Sequence, residues 1–129
     1  MRLVAIAVTA LTLATTAAAD RPIAFRATLT AGTHHPAVNT RWPYAVRVVD
    51  VKGNPLRARI SVAIVDPLGG IHPTQYYLST KYVTSIPFRG TFRDAVRYPP
   101  ESRSIPLTFR VTLKVGTATR VLRYPVTPG

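Results

Sequence analysis

Twelve prolines punctuate this chain, and all of them lie between Pro22 and Pro128. Inside a helix each would remove a backbone donor and clash with the preceding turn. Beyond Pro22 the longest interval without proline, Leu107 to Tyr124, alternates apolar and polar residues as strands do. Long helices are therefore excluded from most of the chain. Composition agrees. From residue 20 onward, Val, Ile and Thr supply 32 of 110 residues, against one Glu, one Gln, three Lys and no Met. β-Branched side chains are stiff at χ1 and suit a pleated surface, whereas the straight-chain helix formers are scarce.

The first nineteen residues are of another kind. Arg2 precedes an apolar stretch from Leu3 to Ala14, and Ala17-Ala18-Ala19 stands before Asp20. A basic start, a short apolar run and an A-x-A site describe a secretory signal peptide. A bilayer-spanning helix needs roughly 20 apolar residues, more than this run supplies. The expected organisation is a signal peptide at 1–19 and one domain at 20–129, secreted or periplasmic. Cleavage would lower the formal charge from +12 to +11 through loss of Arg2. The chain has no cysteine, so disulfides, thiol catalysis and thiolate metal sites are all excluded.

Seven segments read as strands. They are Ile23 to Ala31, Trp42 to Asp50, Leu56 to Asp66, Gln75 to Leu78, Thr84 to Arg93, Leu107 to Val115 and Thr119 to Val126. Phe25, Ala27 and Leu29 share one parity of the first, and Trp42, Tyr44, Val46 and Val48 one of the second. Leu107, Phe109, Val111, Leu113 and Val115 do so in the sixth. The turn Val51 to Pro55 joins the second and third segments, which read as a hairpin. Pro87 marks the fifth segment as an edge or a bulge. Each segment offers one apolar face, and two sheets can bury such faces against each other. The expected fold is all-β: a two-sheet antiparallel sandwich of about seven strands.

The stretch Tyr44 to Ile64 pairs an alternating strand ending in Asp50 with Gly53-Asn54-Pro55 and a second alternating strand. This pattern resembles exported bacterial Ig-like modules, YtkA-like domains and macroglobulin-like domains. The resemblance covers about 20 residues of the chain and implies an Ig-like sandwich with a binding, adhesion or structural role. It transfers no site residues. The chain departs from antibody-type domains in lacking a Cys pair and in placing its single Trp at the start of the second strand.

Recognisable catalytic constellations are absent. The five acids, Asp20, Asp50, Asp66, Asp94 and Glu101, are scattered, whereas a glycosidase needs two facing carboxyl groups. Asp50 and Asp66 each end a strand at a Gly/Pro turn, a position where Asp commonly binds turn backbone. Asp94, between Arg93 and Arg97, reads as a surface ion pair. No G-x-S-x-G elbow, phosphate loop or dinucleotide fingerprint occurs. The expectation is a non-enzymatic protein without a cofactor.

Charge is the strongest signal, with 14 Arg and 3 Lys against 5 acids. Arg47, Arg57 and Arg59 share the outward parity of the expected hairpin, which would set three guanidiniums on neighbouring strands. A basic face concentrates polyanions. In an exported protein the fitting partners are an anionic envelope polymer or an acidic protein, rather than nucleic acid. The competing reading is a solvated surface that serves solubility and edge protection. Tyr76, Tyr77 and Tyr82 form a second candidate surface, because exposed Tyr beside Arg typifies recognition patches. His34, His35 and His72 are the alternative: three loop imidazoles that would bind copper or zinc if their loops met. Adjacent residues on an extended loop point apart, which weighs against it.

Overall fold

The computed structural model describes residues 24–74 and 85–129. They form eight strands: β1 (Arg26–Ala31), β2 (Arg41–Val49), β3 (Arg57–Val65), β4 (Ile71–Pro73), β5 (Ile86–Arg89), β6 (Thr91–Arg97), β7 (Leu107–Val115) and β8 (Ala118–Val126). A single 3-10 turn at Pro100–Ser102 is the only helical element among the described residues. None of these residues form a helix long and apolar enough to cross a membrane. One sheet has the order β1-β2-β6. The other runs β4-β3-β7-β8, with β5 also paired to β3. All pairings are antiparallel.

The two-residue alternation becomes the core. Trp42, Tyr44, Val46 and Val48 of β2 face Ile60, Val62, Phe109, Val111 and Leu113 of the second sheet in one buried cluster. Phe109 sits at its centre, with its ring 5.3 Å from Trp42 and 4.8 Å from Tyr44. The Trp42 indole donates to the Thr33 carbonyl at 2.9 Å, so its one polar atom is satisfied on burial. Arg120 of β8 donates to the Phe25 carbonyl at 2.6 Å and lies over the Phe25 ring. That contact joins β8 to the start of β1 and closes one side of the sandwich.

Two expectations are corrected. The second and third expected strands do not form a hairpin, since β2 and β3 belong to different sheets. Pro55 has no N–H to extend a ladder, and only the Val49–Pro55 bridge links the two strands beyond the turn. β3 pairs instead with β7 over seven residues, Arg59 to Val65. The expected strand Thr84 to Arg93 divides at Gly90, whose φ of 74° turns the chain out of β5 and into β6 of the opposite sheet. Gly90 donates to the Leu56 carbonyl at 2.9 Å and accepts from the Val48 N–H at 2.7 Å. These two of the three sheet-to-sheet crossings are thus tied together at one corner; the third leads from β6 to β7. The expected strand Gln75 to Leu78 lies outside the described residues.

Candidate anion-binding groove

β3 and its two neighbours, β5 and β7, place cations opposite cations. Arg57 is registered against Arg89, and Arg59 against Lys114. Directly opposed side chains on one face have Cβ atoms about 5 Å apart, where like charges destabilise the sheet. The four side chains, with Pro87 and the chain at Ala58 and Phe88, line an open groove of about 540 Å³ on the outer face. The Arg59 guanidinium is held in place there: Nε and Nη2 both donate to the Ser85 hydroxyl, at 3.1 and 3.0 Å. Further along the same face, Arg110 stands opposite Arg123, another like-charge pair.

The acids of the described residues are elsewhere. Asp50 accepts from the Lys52 and Asn54 N–H groups at 2.8 and 2.9 Å and closes the β2–β3 turn. Asp66 accepts from Leu68, Gly70 and His72 in the β3–β4 turn. Asp94 is not a surface residue. It is buried on the inner face of β6, opposite Tyr44, because the Phe92, Asp94, Val96 parity points inward. Glu101 lies in the 3-10 turn. No described acid therefore stands in the outer rows of either sheet, and the groove has no internal counter-charge.

Turn hydrogen bonds hold both turn carboxyls below the ordinary carboxylate range. The backbone N–H of Asn54 contributes most at Asp50, and the His72 side chain most at Asp66. A depressed folded-state pKa adds stability above the unfolded value, and that contribution is lost as pH falls through the folded one. Stability should therefore decline as pH drops below about 4. The Asp50→Asn/Asp66→Asn variant should show a shallower decline in urea unfolding at pH 7, 4 and 3. An unchanged slope would assign the acid sensitivity to other groups. Burial acts in the opposite sense on Tyr98, raising its phenol above the usual range.

The structure brings together Arg57 and Arg59 but not Arg47. Arg47 lies on the outer face of the other sheet, between Thr28 and Thr91, because β2 and β3 part company at the Asp50 turn. Arg89 and Lys114 take its place. Outward parity marks both as exposed, but parity alone does not say which strands are neighbours. Tyr76, Tyr77 and Tyr82 lie outside the described residues.

The histidines are placed in two separate settings. His34 Nδ1 donates to the Pro125 carbonyl at 2.6 Å, and its ring stacks on Tyr124. His35 Nδ1 donates to the Thr127 carbonyl at 3.3 Å. Both therefore pin the loop before β2 to the end of β8. His72 bonds Asp66 at 2.8 Å on β4. β4 and β8 are opposite edges of one sheet, three strand spacings or roughly 14 Å apart. No group of three or more metal-ligating His, Cys, Asp or Glu occurs among the described residues.

No protein-family model matches the sequence, and no curated protein matches it. The crystal structure of a DUF4466 family protein from Parabacteroides merdae is similar over 84% of this chain and 45% of that one, at 17% identity and a TM-score of 0.47. The chain spans less than half of that protein's length. A likeness of this degree carries neither a family assignment nor a function.

Proposed function

We propose that this is an exported, non-catalytic Ig-like module of the cell envelope, and that it holds an anionic envelope polymer in the groove between β5, β3 and β7. One observation carries the reading: two directly opposed cation pairs, Arg57/Arg89 and Arg59/Lys114, line a single groove without a carboxylate. Like charges so opposed repel each other. A bound polyanion relieves the repulsion and releases its own counterions. The two antiparallel sheets, with strands crossing between them, support the Ig-like description. The basic, apolar and A-x-A segments of residues 1–19 support export.

Heparin is a suitable probe. A contact using four cations should lose roughly 50–150-fold in affinity between 50 and 200 mM salt, by the counterion-release relation for linear polyanions. Arg57→Ser/Arg59→Ser should weaken binding and about halve the slope of log affinity against log salt, with the circular dichroism spectrum unchanged. Equal affinity and slope in the folded double variant would reduce the groove to a solvated surface.

A further inference from the structure

The second sheet is not the only cationic one. On the outer face of the β1-β2-β6 sheet, Arg26 is opposite Val49 and Arg93 is opposite Ala45, each two residues along β2 from Arg47. The three exposed arginines therefore form a diagonal stripe, one per strand, with steps of about 7–8 Å. No described acid stands in these rows, as the positions of Asp50, Asp66, Asp94 and Glu101 establish. The stripe and the groove face away from each other, because the two sheets bury their inner faces in a common core.

We propose that this stripe is a second polyanion site, so that one molecule bridges two anionic polymer chains. The inference rests on the groove reading and extends it from one face to two. Charge complementarity selects the occupant: a row of exposed arginines, one per strand at regular register steps, matches a linear polymer with repeated sulfate or phosphate groups. The spacing of the faces makes the sites independent. Packed sheets lie about 10 Å apart, and each guanidinium stands several ångströms beyond its own sheet. The separation thus exceeds the Debye length of about 10 Å at 0.1 M salt. A chain bound on one face leaves the charge on the other unneutralised, so a second chain is still attracted. A protein with a single basic face would decorate a polymer. One with two opposed faces ties polymers together.

Stoichiometry tests this directly. A heparin octasaccharide is titrated into the protein by calorimetry in 0.1 M salt. Two oligosaccharides should bind per wild-type molecule. Arg26→Ser/Arg47→Ser/Arg93→Ser should bind one, and Arg57→Ser/Arg59→Ser/Arg89→Ser/Lys114→Ser should bind one. Wild-type protein held on a heparin-coated surface should also capture labelled heparin, and neither variant should do so. One oligosaccharide per wild-type molecule, lost in the groove variant and kept in the stripe variant, would overturn the second site while leaving the groove intact. No binding by wild type would overturn the groove reading, and the bridge with it. Circular dichroism establishes that each variant is folded. Should a variant fail to fold, the wild-type stoichiometry decides alone.

Discussion

Phe109→Ala should destabilise the protein by about 3–5 kcal/mol, the usual cost of emptying a large aromatic site in a packed core. Phe109 is fully buried, and the rings of Trp42 and Tyr44 lean on it from the opposite sheet. Those two side chains are fixed by strand β2 and, for Trp42, by the indole bond to Thr33. They are poorly placed to collapse into the space, which puts the expected cost in the upper half of that range. In thermal unfolding the same loss should lower Tm by more than about 10 °C in a domain of this size. A change below about 1 kcal/mol would place Phe109 at the surface and reverse the facing of the whole of β7.

Gly90→Ala should cost about 3 kcal/mol, a large penalty for adding one methyl group. Two effects combine. The φ of 74° is a left-handed conformation that an L side chain adopts only with strain. In addition, a Cβ at this position would stand 2.9 Å from Pro55 Cβ, closer than carbon atoms tolerate. Pro55 lies in the β2–β3 connection, so neither crossing chain can yield without disturbing the other. Gly53→Ala separates the two contributions. Gly53 has a φ of 90°, but nothing lies within 4 Å of its added Cβ. It should therefore pay the backbone strain alone, and urea unfolding should rank wild type above Gly53→Ala and Gly53→Ala above Gly90→Ala. Equal losses at the two glycines would mean that the corner gives way easily.

The facing of the longer strands was legible in the sequence, although β4 at Ile71–Pro73 was not read as a strand; the neighbours of each strand were not legible. Alternation reports burial, because the pleat sends successive side chains to opposite faces. Trp42, Tyr44, Ile60, Phe109 and Leu113 are buried where alternation puts them. Alternation carries no information on which strand lies alongside. The short Asp50 to Pro55 turn has the composition of a hairpin, yet it conducts the chain from one sheet to the other. Gly90 hides a second crossing inside what reads as one continuous alternating strand. The groove was half legible for the same reason. Arg57 and Arg59 share a strand, so their proximity follows from sequence. Arg89 and Lys114 join them only through register. Asp94 was misjudged because its flanking arginines suggest a surface, whereas its parity with Phe92 and Val96 was the better guide.

The loop before β2 has a consequence for how the chain comes together in time. Residues 34–38 are tied to residues 125–129 by the Thr127 bond to His34, the Gly129 bond to Pro36, the Val38 bond to Gly129 and the two imidazole contacts. The His34–Pro125 partners are 91 residues apart in sequence. At a synthesis rate of about 5–20 residues per second, the loop waits roughly 5–18 s for the segment that satisfies it. β1 waits as long for Arg120 and the closure it brings. Pairings of such long sequence separation are the slow step in reaching an all-β structure. During that interval the nascent chain exposes unpaired strand edges and an open apolar face, the condition in which chains of this kind self-associate.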